Sequence, residues 1–242
     1  MLLVAGSATA LATGLGAVPV FFLGTRSKAL RPALWGLAAG TMAVASVVGL
    51  LLPAADEGSA AEVAIGAAAG IAFMLGVRRF IGRHEPHLAG LDDRGVRTSA
   101  LVFFVLLVHS APEGLAIGTA YASETAGLGV FVILAIALQN IPEGTSTAIP
   151  MAAAGFGRKQ QFWAAVLTSA PQPVAAVVAF LAVEKIAGLL PVSFAFAAGA
   201  MLALVAFELV PQALGSGRWA GALLGAAAGA AVMLALAAVL GV

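Results

Sequence analysis

Cysteine does not occur in this chain of 242 residues, which excludes disulfides, thiolate nucleophiles and Cys-ligated metal centres together. Charge is nearly as scarce. Only 10% of the residues are Asp, Glu, Lys or Arg, against about 25% in a soluble domain, so no water-compatible surface can be built. A net charge of +1 supplies no basic face for phosphates, and nucleic acid is excluded as a partner. Tyrosine occurs once, as Tyr121, which leaves little for gripping an organic solute. His-Glu-x-x-His occurs nowhere, which removes the usual signature of a hydrolytic zinc enzyme.

What the chain has is apolar length: 62% of it is hydrophobic and its mean hydropathy is +1.06. Stretches at about 2–22, 33–53, 60–77, 98–122, 127–152, 162–183, 192–214 and 219–241 are each long enough to cross about 30 Å of hydrocarbon. The remainder suffices only for short connections. Residues 1–242 therefore read as one all-α, polytopic transmembrane domain of eight helices. The first span lacks a positively charged leader and is followed by further spans, so it reads as a retained helix rather than a signal peptide.

Loop charge sets the expected orientation. Arg26, Lys28, Arg31, Arg78, Arg79, Arg83, Arg94, Arg97, Arg158, Lys159 and Arg218 all follow odd-numbered spans, and of the 12 basic residues only Lys185 lies on the other side. The positive-inside rule makes those loops cytoplasmic and both termini extracytoplasmic. Gly221, Gly225 and Gly229 recur at helical spacing and predict close helix packing. Trp35, Trp163 and Trp219 fall near cytoplasmic span ends and predict interfacial anchors.

Four ionisable residues lie deep in spans, where a charge costs about 2.5–3.5 kcal/mol: His109, Glu113, Glu143 and Glu208. Two of them sit in matching phrases. His109-Ser110-Ala111-Pro112-Glu113-Gly114 in span four and Gln139-Asn140-Ile141-Pro142-Glu143-Gly144 in span five are offset by 30 residues throughout. His109 and Glu113 share a helix face, as do Gln139 and Glu143. Successive spans run antiparallel, so a pseudo-two-fold axis in the membrane plane would bring the four side chains together. Pro112 and Pro142 each remove one helical hydrogen bond, which predicts opened backbone at the midplane. Facing carboxylates repel in a low dielectric. A divalent cation removes that repulsion, and imidazole, carboxylate and amide donors suit Zn²⁺, Fe²⁺, Mn²⁺ or Cd²⁺.

These phrases resemble the ZIP (Zrt/Irt-like) family of divalent metal transporters. The resemblance extends to Ser169-Ala170-Pro171-Gln172-Pro173 in span six and to Ala198-Gly199-Ala200-Met201 through Glu208-Leu209-Val210-Pro211 in span seven. It implies transport of a divalent metal, zinc first, into the cytoplasm by alternating access, with His109, Glu113, Gln139 and Glu143 as the primary site. It also implies a plasma (inner) membrane location, no prosthetic group and no enzymatic activity, and it leaves a homodimer open. In relatives with a second metal, its further ligands come from the positions of Ser110, Asn140 and Gln172. Here all three are neutral, so the expectation is one strong site with at most a weak neighbour.

Glu208 reads either as an exit relay or as a carboxylate bonded to a neighbouring helix. His84-Glu85-Pro86-His87, with Asp92 and Asp93, reads as solvated loop or as a receiver of exiting metal. Asp56, Glu57 and Glu62 read as outer-side loop polarity or as a lure for cations. Two other functions are open to these residues: a proton or solute transporter using the same carboxylates, and an intramembrane metalloenzyme.

Overall fold

In the computed structural model, residues 2–24, 29–83, 94–186, 188–215 and 217–242 are described. Among the described residues, eight helices are long and apolar enough to cross a membrane: α1 (Leu2–Leu23), α2 (Arg31–Glu57), α3 (Ala60–Phe80), α4 (Gly95–Ala122), α5 (Leu128–Ala153), α6 (Arg158–Lys185), α7 (Leu189–Leu214) and α8 (Trp219–Leu240). No strand occurs among the described residues. The spans follow the apolar stretches of the sequence to within a few residues. Several begin earlier, as α2 does at Arg31-Pro32, where proline is pre-organised for a first turn. Arg26, Lys28 and the segment with His84, His87, Asp92 and Asp93 lie outside the described residues.

Packing pairs the helices symmetrically. The most extensive contacts join α2 to α8, α3 to α7, α4 to α6 and α2 to α7, followed by α1 with α5 and with α6. Exchanging α1 with α6, α2 with α7, α3 with α8 and α4 with α5 leaves that list unchanged. The bundle is thus an inverted repeat wound around α4 and α5.

Small residues make these contacts possible. A Cβ on Gly36 or Gly40 would strike the carbonyl oxygens of Ala222 and Ala226, and one on Gly225 would strike Ala33. Around the two phrases the pattern repeats with the expected offset. Gly114 sits against the Gln172 backbone of α6, and Gly144 against the Thr13 backbone of α1. Gly221 differs from the sequence expectation, since a Cβ there would meet nothing within 4 Å. It lies in the first turn of α8 beside Ala222, whose carbonyl faces Gly36 of α2, but its own Cβ would point into open space.

The sequence also places the backbone breaks wrongly. α4 and α5 run unbroken through Pro112, Pro142 and Pro150; a lost hydrogen bond weakens the ladder without ending the helix when packing holds both sides. The departures lie in the flanking helices. α1 is interrupted at Gly16-Ala17 and α6 at Ser169-Ala170. The carbonyl of Gly16 is recovered by Thr145 Oγ1 of α5 at 2.6 Å, and Thr13 Oγ1 meets Ser169 Oγ at 2.7 Å across the two breaks. α2 and α7 each contain a π-helical segment, Val47–Leu51 and Val205–Leu209, two residues before Pro53 and Pro211 respectively.

Those segments are symmetry mates with opposite surroundings. Leu50 is buried in the apolar core with Phe131, Phe194 and Met201. Its mate, Glu208, instead lines a cavity of ≈ 180 Å³, toward the side of the membrane where Arg31 and the other basic loop residues lie. One turn is thus packed into apolar core and its mate borders an opening. Trp35 lines this cavity and is buried, so it is no interfacial anchor; Trp163 and Trp219 are exposed as expected.

Candidate metal site

α4 and α5 bring their two phrases face to face. His109, Glu113, Gln139 and Glu143 are all buried. The Glu113 and Glu143 carboxyls are close neighbours. Gln139 Nε2 donates to Glu113 Oε1 at 3.0 Å, and Gln172 Nε2 of α6 donates to Glu113 Oε2. Both oxygens of Glu113 are therefore engaged by amides.

His109 and Glu143 face the other way, into the cavity, with Ser146 and Glu208. Glu113 and Gln139 do not line it. Among the described residues, no three His, Asp or Glu side chains are gathered as a metal cluster. The four side chains thus form two layers, an amide-held carboxylate behind and an imidazole with a carboxylate in front. Three buried atoms in these layers have no hydrogen-bond partner: His109 Nδ1, Gln139 Oε1 and Glu143 Oε1. An orphaned buried polar atom costs about 1–3 kcal/mol, and each of these is of a type that can donate a lone pair to a cation.

The three neutral positions separate. Asn140 and Gln172 join one network: Asn140 Nδ2 donates to Gln172 Oε1 at 3.2 Å and to the Thr9 carbonyl at 2.9 Å. Thr9 Oγ1 donates to the same Gln172 oxygen at 2.7 Å. Ser110 is not part of it; its hydroxyl turns back to the Leu107 carbonyl at 2.8 Å. The Gln172 amide, with nitrogen toward Glu113 and Asn140 Oδ1, satisfies their oxygens without a charge.

Glu208 is ion-paired: Arg78 Nε of α3 lies 3.3 Å from its Oε1. It borders the main cavity and also a smaller pocket shared with His109 and Arg78. Glu62 caps the start of α3, its carboxylate accepting from the Ser59 backbone N–H at 2.7 Å and hydroxyl at 2.8 Å. Sequence reasoning missed Thr9, Arg31 and Arg78 as neighbours of the site. Arg31 and Arg78 looked like loop charges; their place at the very ends of α2 and α3, within a side chain's length of the cavity, was the available signal.

A family model described as ZIP Zinc transporter matches residues 82–237. The chain belongs to the ZIP family. Its relatives include the zinc transporter GufA of Myxococcus xanthus, 34% identical over 222 residues covering 87% of each chain. The zinc transporter ZIPB of Bordetella bronchiseptica is 32% identical over 250 residues, 98% of this chain and 80% of that one. A candidate zinc transporter of Arabidopsis thaliana is 36% identical over 214 residues, and the chain spans only 33% of its length. As a ZIP-family member with eight membrane-crossing helices, the protein is a multi-pass membrane transporter of divalent metal, not an enzyme.

Proposed function

We propose that this ZIP-family protein carries zinc into the cytoplasm through a single strong site formed by His109, Glu113, Gln139 and Glu143. Fe²⁺, Mn²⁺ and Cd²⁺ are compatible with the same donors. Residues 1–242 act as one transport unit in the plasma (inner) membrane with both termini outside. The supporting observation is the convergence of three unpartnered buried donors, His109 Nδ1, Gln139 Oε1 and Glu143 Oε1, beside facing carboxyls. A cation held between the layers would leave toward the cavity past His109 and Glu143, and Glu113 would return to its amide partners.

The inverted repeat supports alternating access. The cavity lies on the basic-loop side and the opposite half is packed with Leu50, Phe131 and Phe194, the arrangement of an inward-open state. The opposite state would close Glu208's half and open Leu50's. Gln172 supports a single site because its amide already answers the oxygens that a second metal would bind. Glu208 serves as the relay on the exit path. In proteoliposomes, Glu143→Ala and His109→Ala should each abolish Zn²⁺ uptake while the protein remains folded by gel filtration; undiminished flux in both would refute the site.

A further inference from the structure

Arg78 is the one ion-pair partner of Glu208 among the described residues, and metal binding at His109 and Glu143 does not require it. Its Nε lies 3.3 Å from Glu208 Oε1, and its guanidinium lies over the Phe207 ring at 5.9 Å. Phe207 and Glu208 are consecutive within the π-helical segment of α7, so one cation is held by two neighbouring side chains at an irregular turn. Such turns recur at functional positions. The pair is half-open to solvent on the arginine side and mostly covered on the glutamate side. Below it, the smaller pocket runs from Arg78 and Glu208 to His109, the residue that also fronts the metal site.

We infer that Arg78 is a built-in competitor for the exit metal: its guanidinium occupies Glu208 between cycles and displaces the ion from that carboxylate after it leaves His109 and Glu143. This rests on Glu208 being the exit relay. A guanidinium and a divalent cation drawn to the same carboxylate repel one another, so each weakens the other's hold on it. A carboxylate alone at the mouth would hold a doubly charged ion and slow its escape. A tethered single charge lowers that affinity and returns the carboxylate to a neutral pair. The modest strength of a partly exposed ion pair suits the task, because a stronger one would shut metal out.

The test is Zn²⁺ uptake into proteoliposomes with Arg78→Gln, Arg78→Lys, Glu208→Gln and the Arg78→Gln/Glu208→Gln double variant. Arg78→Gln should lower both KM and the maximal rate, by roughly threefold, because metal lingers at Glu208. Arg78→Lys should restore most of the rate, and the double variant should behave like Glu208→Gln alone. If Glu208→Gln slows uptake while Arg78→Gln changes neither constant, the competitor role is wrong and the relay survives. Should Glu208→Gln itself leave transport untouched, the relay reading fails first. Equal loss of rate and of thermal stability in both single variants, with no change in KM, would make the pair a mere helix clasp and overturn the inference.

Discussion

One nitrogen in place of one oxygen separates Gln172 from an acidic metal ligand. As an amide it donates to Glu113 and Asn140 while accepting from Thr9; as a carboxylate it could donate to neither. Gln172→Glu would set a second acid against Glu113, a repulsion that a second metal would relieve. Calorimetric titration with Zn²⁺ should therefore rise from one equivalent in the parent to two in Gln172→Glu; one equivalent in both would argue against a latent second position. Without metal the same variant should unfold at lower temperature, and Zn²⁺ should restore the loss through preferential binding to the folded form. At this scale the residue types were legible in the sequence, and their facing direction was not. His109 and Glu113 share a helix face by spacing. Yet His109 fronts the cavity and Glu113 sits behind among amides, because the partners that turn each side chain come from α5 and α6.

Helix contacts in this protein are set by backbone approach rather than by large side chains. Gly144→Ala would press a methyl group into the Thr13 carbonyl, and Gly114→Ala would do the same at Gln172. Each should cost about 1–3 kcal/mol, read as an earlier thermal transition in detergent, and Gly114→Ala should weaken metal binding as well by shifting Gln172. Gly221→Ala meets nothing and should stay within about 0.5 kcal/mol of the parent. The periodic glycines of α8 promised packing at all three positions; only the neighbour's path shows that Gly225 and Gly229 face α2 while Gly221 faces open space. Proline misled in the same manner. Pro112 and Pro142 mark where a hydrogen bond is missing, but α4 and α5 are clamped by neighbours on both sides. The irregular turns went instead to α1, α2, α6 and α7.

Across the whole molecule, pseudo-symmetry is broken by filling: Leu50 and Glu208 occupy matching turns, one in the apolar core and one beside a cavity. The native lack of cysteine makes this directly measurable. Ser146→Cys should react with a membrane-impermeant maleimide added from the cytoplasmic side, and Zn²⁺ should slow the reaction at least several-fold. Leu50→Cys should stay unmodified from either side while the inward-open state dominates. Labelling of Ser146→Cys only from outside would reverse the assigned orientation.

Composition, span length and the doubled Pro-Glu-Gly phrase pointed from sequence alone to eight helices long and apolar enough to cross a membrane and to two acids brought together between them. A charge in lipid is too costly to be there by chance, and a 30-residue repeat on antiparallel helices places its two acids at matching depths. Which half of the bundle is open, where the helices break, and which cation sits on Glu208 were decided only in three dimensions. Each depends on contacts between residues far apart in the chain, such as Arg78 with Glu208 or Thr9 with Gln172, and local periodicity carries no record of those.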